Sequence, residues 1–328
     1  MELVKVEDLR KYFEVRTFTL PFTKKPKLYV KAVDSVSFHI NEGEIFGLAG
    51  ESGCGKTTTG RCILRLIEPT SGRILYRGEN ILDYDKSKMR ILRRRMQIIF
   101  QDPYESINPR MLIRDVVAEP LRVHKLASSE EELEDMVARA LEDVKLVPPD
   151  DFMYRYPHEL SGGQRQRVAI ARALILNPEF IVADEPVSML DVSIRAEILN
   201  VMLDLKEKYK LTYLFITHDL AVAKYFCDRL AIMYLGKIVE MGDVEEVIDN
   251  PLHPYTKALV AAIPVPDPKV KIGEIPIIGE VANPLNPPPG CRFHPRCVYA
   301  KDICKKEEPP LVEVKKGHFV ACHLYSKG

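Results

Sequence analysis

Eight consecutive residues, Gly50-Glu51-Ser52-Gly53-Cys54-Gly55-Lys56-Thr57, gather the groups that a polyphosphate needs into one turn. They follow the apolar run Ile45-Phe46-Gly47-Leu48-Ala49, which reads as a buried strand. They precede Thr58-Thr59-Gly60-Arg61-Cys62-Ile63-Leu64, which reads as the opening of a helix. Backbone N–H groups of such a turn point inward, the helix dipole adds partial positive charge, and the glycines let the backbone approach phosphate closely. Lys56 is expected to reach the β- and γ-phosphates, and the Thr57 hydroxyl to ligate Mg²⁺. Gly50, Ser52, Gly53, Cys54, Gly55 and Thr58 complete the cradle. The pattern predicts a bound nucleoside triphosphate.

A carboxylate pair supplies the chemistry of water attack. Asp184-Glu185 ends the apolar run Phe180-Ile181-Val182-Ala183 and is followed by Pro186. A carboxylate at the carboxyl end of a buried strand is the Walker B arrangement, in which Asp184 holds Mg²⁺ or its water and Glu185 acts as general base. Leu160-Ser161-Gly162-Gly163-Gln164-Arg165-Gln166-Arg167 offers another phosphate cradle: a hydroxyl, two flexible N–H donors and a helix N-terminus. As bare physics it could equally be an N-cap with a flexible turn.

Beside the P-loop and Asp184-Glu185, that last motif resembles the signature of the ATP-binding cassette (ABC) ATPases. Gln101, ending the strand Gln97-Ile98-Ile99-Phe100, matches the Q-loop of that family. Ser188-Met189-Leu190-Asp191 matches the D-loop, with Met189 where alanine is usual, and His218 in Thr217-His218-Asp219 matches the switch histidine. The resemblance covers roughly residues 1–260. It implies an α/β P-loop NTPase core with an antiparallel β subdomain and a helical insertion. It also implies a head-to-tail pair, each ATP lying between the P-loop of one subunit and Ser161–Gly163 of the other. In that setting Gln101 touches Mg²⁺ or the water, His218 bonds the γ-phosphate, and Asp191 belongs to the shared nucleotide site. The adenine stacks on an aromatic near the end of the first strand, which Phe13 matches best and Tyr12 next.

Finer features narrow the resemblance. The run Phe100 to Arg110 (FQDPYESINPR), Tyr156-Pro157-His158-Glu159-Leu160, Asn250-Pro251-Leu252-His253-Pro254-Tyr255-Thr256 and Pro284-Leu285-Asn286-Pro287-Pro288 look like the ATPase subunits of oligopeptide/dipeptide importers. The insertion from Thr17 to Tyr29 favours the second, F-type, of the two paralogous ATPases of such systems. The resemblance implies a paralogous ATPase or a second copy as partner, two transmembrane permeases, and, indirectly, an extracytoplasmic solute-binding protein. It implies a peripheral place on the cytoplasmic face of the membrane, with no nucleic-acid partner. Importer ATPases for nickel or oligosaccharides, and soluble non-transport ABC ATPases, are the alternatives.

Seven cysteines divide unevenly: Cys291, Cys297, Cys304 and Cys322 crowd the C-terminal part, with five, six and seventeen residues between successive members. Clustered thiols in a cytosolic chain point to metal more than to disulfides. Structural zinc sites usually contain a pair two to four residues apart, which is missing here, so wide loops favour a 4Fe–4S cube over Zn²⁺. Zinc, disulfides and free thiols remain alternatives. Similar tails in the importer subfamily carry such a cluster, which points the same way. No P-loop, Walker B or signature residue lies in the tail, so losing Cys297 is expected to spare nucleotide binding.

The elements that must position these residues follow from pattern. Leu3–Val6 and Val36–Ile40 alternate like strands, and the chain reads as strand-rich to about Pro120. Leu133, Met136, Val137, Ala140, Leu141 and Val144 have helical spacing, as does the run from Arg167 to Leu176. Tyr213–Ile216 reads as a further buried strand, with a helix from Ile194 to Tyr209 before it. The expected organisation is an ABC ATPase core over 1–114 and 161–263, a helical subdomain over 115–160, a proline-rich linker over 264–290 and a cysteine module over 291–328. Pro21–Lys27 reads as an exposed loop. The 328 residues carry 47 basic and 47 acidic side chains, so no global charge argues for nucleic acid or an anionic surface. The charged N-terminus does not suit a signal peptide, and no run of about 18 apolar residues offers a membrane span.

Overall fold

Period-two burial opens the chain. The computed structural model describes residues 1–15, 28–263, 277–279 and 283–326. The Pro21–Lys27 loop, most of the Thr17–Tyr29 insertion and most of the proline-rich stretch after Ile263 lie outside them. Two compact units result: Met1–Ile40 with Ile45–Asp83 and Ile216–Gly328, and Asn41–Glu44 with Tyr84–Phe215.

The first unit begins with β1 (Glu2–Val15) and β2 (Leu28–Asn41), continues through β3 (Ile45–Ala49) and α1 (Lys56–Ile63), and adds β4 (Ser71–Tyr76) and β5 (Glu79–Asn80). Four of these strands form a sheet in the order β2-β1-β4-β5, with β1 and β4 antiparallel. This is the expected antiparallel subdomain. Leu3, Val4, Val6 and Leu9 are its buried side chains on β1. The register against β4 slips between Glu7 and Arg10, at Asp8 with its φ of 47°. A bulge there lets both ends of a long strand keep an apolar face inward.

The second unit contains α2 (Lys86–Leu92), β6 (Met96–Ile99), α3 (Pro103–Ser106), α4 (Ile113–His124), α5 (Glu130–Asp143), α6 (Asp150–Met153), α7 (Gly162–Leu174), β7 (Phe180–Asp184), α8 (Val192–Tyr209) and β8 (Thr212–Thr217), the last two residues of β8 counting with the first unit. β6 runs parallel to β7, Met96 beside Phe180 and Ile99 beside Ala183. Every residue of β7 and β8 is buried, which is why both read as unbroken apolar runs. Ser129 caps α5 by accepting from the Glu132 N–H at 3.1 Å, and Glu130, Glu131 and Glu132 fill the first turn, where negative charge meets the helix dipole. Leu133, Val137, Ala140 and Leu141 are its buried stripe.

The span read as strand-rich holds α1, α2, α3 and most of α4, and Pro120 lies inside α4. A mid-helix proline costs about 3 kcal/mol. Ile113, Val116, Val117 and Leu121 are buried along one side of α4, at roughly 1.5–3 kcal/mol each, and outweigh it.

The chain returns to the first unit as α9 (Leu220–Phe226), β9 (Arg229–Tyr234), β10 (Lys237–Asp243), α10 (Val244–Asp249) and α11 (Pro254–Ala261), and ends with β11 (Val312–Lys315) and β12 (His318–Val320). β9 pairs parallel with β3 and antiparallel with β10. The tail does not stand apart as a small module. β12 pairs with β10 and so extends the sheet, Glu240 beside Val320. Phe293 is buried against Tyr234 and Tyr255, ring centroids 5.3 and 5.4 Å away. Burying one such ring contributes roughly 2–3 kcal/mol.

Candidate nucleotide site

Sequence places the P-loop between a fully buried strand and a helix that begins at its lysine, and the first unit has that form. No described side chain caps α1 and no acidic residue sits in its first turn, an arrangement that suits an anion at its N-terminus. Gly55 is the αL N-cap with φ of 109°, and a Cβ there would lie 2.0 Å from the Ala32 carbonyl oxygen. Only glycine fits. Gly50 is buried, and Ser52 and Gly53 are exposed at the tip of the turn. Lys56 is buried, its Nζ donating to the Gly50 and Glu51 carbonyls at 2.8 and 3.1 Å. Its ammonium is therefore held within the loop. Thr57 and Thr58 follow on the first turn, both half-buried. Burial pushes the Cys54 thiol up, which keeps it protonated in the cradle.

Elsewhere in the first unit Phe13 and Tyr12 separate cleanly. Tyr12 donates its hydroxyl to Asp34 at 2.5 Å, and burial and that bond push its phenol up to about 12. Phe13 is 39% exposed, with the Lys11 ammonium 4.9 Å from its ring centre. Of the two rings, Phe13 has a face to offer. His218 follows β8 and is exposed, while Asp219 caps α9 by accepting from Ala221 and Val222 N–H.

In the second unit Asp184 ends β7 and is 2% exposed. Glu185 follows with φ of 47°, an αL conformation uncommon for a residue with a Cβ. Gln101, after β6, donates from Nε2 to Glu185 Oε2 at 3.2 Å. The D-loop folds back on the same residue: Ser188 donates through both N–H and Oγ to the Glu185 carbonyl, at 3.2 and 3.0 Å. Asp191 is the N-cap residue of α8 with no side-chain cap bond, and it is exposed. Ser161 caps α7 in a reciprocal box, accepting from the Gln164 N–H at 3.3 Å while its own N–H bonds Gln164 Oε1 at 2.9 Å. Gly162 and Gly163 form the first turn. A Cβ on Gly163 would meet Ile194 Cγ2 at 2.7 Å, so α7 approaches α8 too closely for any other residue.

The signature helix is also tied to the Q-loop. Arg165 stacks over the Tyr104 ring, 3.7 Å to its centre, and bonds its hydroxyl. Arg172 bonds the Ser106 carbonyl at 2.9 Å and the Glu119 carboxylate at 2.6 Å. A groove of about 180 Å³ lies beside these residues, lined by Ile99, Phe100, Ile107, Pro120 and Arg172 among others.

In the tail, Cys291, Cys297, Cys304 and Cys322 are free thiols. Burial pushes Cys291 up to about 12, and the fields of Cys304, Cys322 and Cys297 add to it. Cys297 and Cys322 are raised by burial first and by Cys304 as well. Cys291 N–H donates to the Cys304 carbonyl at 2.9 Å, and Lys301 N–H to Cys304 Sγ at 3.5 Å. Among the described residues no group of three or more His, Cys, Asp or Glu is arranged to hold a metal ion. The four-thiolate expectation therefore finds mutual proximity but no formed ion site. His294 bonds the Cys291 carbonyl through Nδ1, and His323 the Glu307 carbonyl through Nε2.

Comparison with known proteins agrees on a single family. Residues 33–188 match the ABC transporter family and residues 239–304 the C-terminal region of oligopeptide/dipeptide transporters. The oligopeptide transport ATP-binding protein AppF of Bacillus subtilis is 49% identical over 99% of this chain and 98% of its own. The chain belongs to the ABC transporter ATP-binding family. Within this family, a putative peptide import ATP-binding protein of Brucella ovis is 49% identical over 98% of this chain and 97% of its own. Among solved structures, the ATP-binding cassette MJ0796, dimeric in a post-hydrolysis state bound to ADP and Pi, superposes with a TM-score of 0.64 at 30% identity, covering 74% of this chain and 99% of that one. As a member of this family the chain is an ATP-hydrolysing transport ATPase with an ABC cassette fold. Among the described residues no helix is long and apolar enough to cross a membrane.

The sequence reading missed two partners of the P-loop residue Glu51. Glu51 donates its N–H to the Tyr255 hydroxyl at 2.9 Å, and its carboxylate is held by Arg296. Nothing in the local pattern marks Tyr255 or Arg296, which lie more than 200 positions away.

Proposed function

We propose that this chain is the ATP-hydrolysing subunit that powers import of oligopeptides or dipeptides through an ABC transporter. The observation that carries this reading is the near full-length relation to oligopeptide transport ATP-binding proteins, C-terminal region included. In this reading Gly50 to Thr58 bind the ATP phosphates, with Lys56 as the direct cation. Mg²⁺ fits the residues present, because Thr57 offers a hydroxyl on the first turn of α1 and Asp184 a buried carboxylate at a strand end. Bound there, it would neutralise charge on the β- and γ-phosphates. Glu185 takes the proton of the attacking water, Gln101 orients it, and His218 senses the γ-phosphate. Phe13 supports the adenine. Ser161, Gly162, Gly163 and Asp191 act on the nucleotide of a second subunit, paralogous or identical.

The same reading places the chain on the cytoplasmic face of the membrane, with two permeases as direct partners and a solute-binding protein acting through them. The groove beside the Q-loop would receive side chains of a short permease helix docked near Gln101–Arg114, because its walls include Phe100, Ser106 and Ile107 together with Ala169, Arg172 and Ala173 of α7. For the tail, Cys291, Cys297, Cys304 and Cys322 would hold a 4Fe–4S cluster. Their thiols already share one electrostatic neighbourhood, and a cube spreads its four thiolates more widely than one ion does. Such a cluster would supply a cross-link among loops rather than a reaction step.

Reconstitution tests the reading. Vesicles holding two permeases, this chain and a paralogous ATPase should hydrolyse ATP faster when a peptide-loaded binding protein is added, and should accumulate labelled peptide. Stimulation by nickel or an oligosaccharide instead would replace the substrate class.

A further inference from the structure

The second residue of the phosphate-binding turn is an acid, and the structure gives its charge to the tail. Glu51 Oε2 and Oε1 accept from Arg296 Nη1 and Nη2 at 2.9 and 3.1 Å, a two-pronged pair. Arg296 is 8% exposed, and its guanidinium lies 5.8 and 6.0 Å from the centres of the Tyr234 and Phe293 rings. Tyr255, its ring tilted against Tyr234 with centroids 4.7 Å apart, accepts the Glu51 N–H. Glu51 is thus held at its backbone and at both carboxylate oxygens by residues more than 200 positions away. The same turn binds Lys56 through the Glu51 carbonyl.

A carboxylate in a phosphate cradle works against the cradle. It repels the incoming polyphosphate and competes with it for the lysine. Drawn into a bidentate pair with a buried guanidinium, it does neither, because its charge is cancelled locally and its direction is set.

We propose that Arg296 is a positioning residue for nucleotide binding: by neutralising and orienting Glu51 it keeps the P-loop open to phosphate, so the docked tail sets the affinity of the site. The proposal rests on reading Gly50–Thr58 as the ATP site. It requires the tail to remain docked when Arg296 alone is changed, and other contacts provide for that. Arg292 bonds the Asp34 carboxylate and the Leu235 carbonyl, Phe293 is buried, and β12 pairs with β10.

The test is the dissociation constant of MgATP for the full-length protein and its Arg296→Gln, Arg296→Lys, Glu51→Gln and Glu51→Gln/Arg296→Gln variants, with melting temperature and metal content measured alongside. Arg296→Gln should weaken binding about tenfold by leaving the carboxylate unpaired, and Arg296→Lys by less, since it keeps the charge but loses the fork. Glu51→Gln supplies the reference in which the carboxylate charge is absent and Arg296 remains. The decisive variant is the double one, which should recover most of the loss because the offending charge is gone. A role that was merely structural would not produce that rescue. Binding unchanged in Arg296→Gln, or a double variant as weak as the single, would overturn the proposal. If Arg296→Gln does not fold, the same rescue is sought in Glu51→Gln/Arg296→Lys against Arg296→Lys. A Lys56→Ala variant that binds as tightly as wild type would instead remove the ATP-site reading itself.

Discussion

Gln101 and Glu185 meet through a 3.2 Å bond from the amide Nε2 to the carboxylate Oε2, although 84 positions separate them in sequence. Parallel pairing of β6 and β7 sets Ile99 beside Ala183 and so brings the two residues after those strands together. The amide donates and the carboxylate accepts, which holds the Glu185 carboxylate in one orientation. That is the state a general base needs. Replacing Glu185 with glutamine keeps the shape and removes the base. ATP binding should persist within about threefold while steady-state hydrolysis in the assembled transporter falls by at least about a hundredfold. Hydrolysis near the wild-type rate would remove Glu185 from that role.

Gly163 offers a test of the signature helix. A side chain there collides with Ile194, so the start of α7 must move away from α8. Gly163→Val should leave nucleotide affinity of the isolated chain unchanged, since its P-loop is untouched. In the assembled pair, hydrolysis should fall by at least about tenfold, because the displaced cradle serves the other subunit's nucleotide. A loss of nucleotide affinity in the isolated chain would show that the motif acts within one subunit.

The cysteine tail now carries an expectation opposite to the one that sequence alone suggested. Cys297 immediately follows Arg296, and the Glu51 contact depends on where that segment lies. Protein purified without oxygen should be brown and contain about four irons per chain, and Cys297→Ser should lose most of the colour. Nucleotide binding should weaken in the same variant. Stoichiometric zinc in colourless protein would replace the cluster, and undiminished nucleotide affinity in Cys297→Ser would uncouple the two sites.

What could be read in advance was local in sequence. The P-loop, the strand ending at Asp184 and the helix opening at Ser161 each hold their function and its structural setting within about fifteen residues. The stripe of Leu133, Val137, Ala140 and Leu141 was legible for the same reason. Helix α4 was not, because Pro120 masks an amphipathic stripe that burial sustains regardless. The pairings of the tail were not legible because its partners are tertiary. Arg296 finds Glu51, Arg292 finds Asp34, and β12 finds β10, and no short pattern encodes any of those pairings.

Acid should loosen this packing through His253. The residue is buried, and its Nδ1 accepts the Tyr255 N–H at 3.0 Å while its backbone N–H donates to Glu240 Oε2 at 2.8 Å. An acceptor nitrogen must be unprotonated, and burial, with Lys257 assisting, pushes the ring down to about 3. The unfolded chain takes up the proton near 6.5, so between 6.5 and about 3 it binds more protons than the folded one, and stability falls as pH falls. At pH 5 the loss from this residue alone is about 2 kcal/mol relative to neutral pH. His253→Asn keeps a side-chain acceptor at the N-cap of α11 and has no proton to gain. Melting temperature measured from pH 7.5 to 5 should therefore drop less steeply in His253→Asn than in wild type, while titrations common to both cancel in the difference. Parallel slopes would mean that His253 is not the group that titrates.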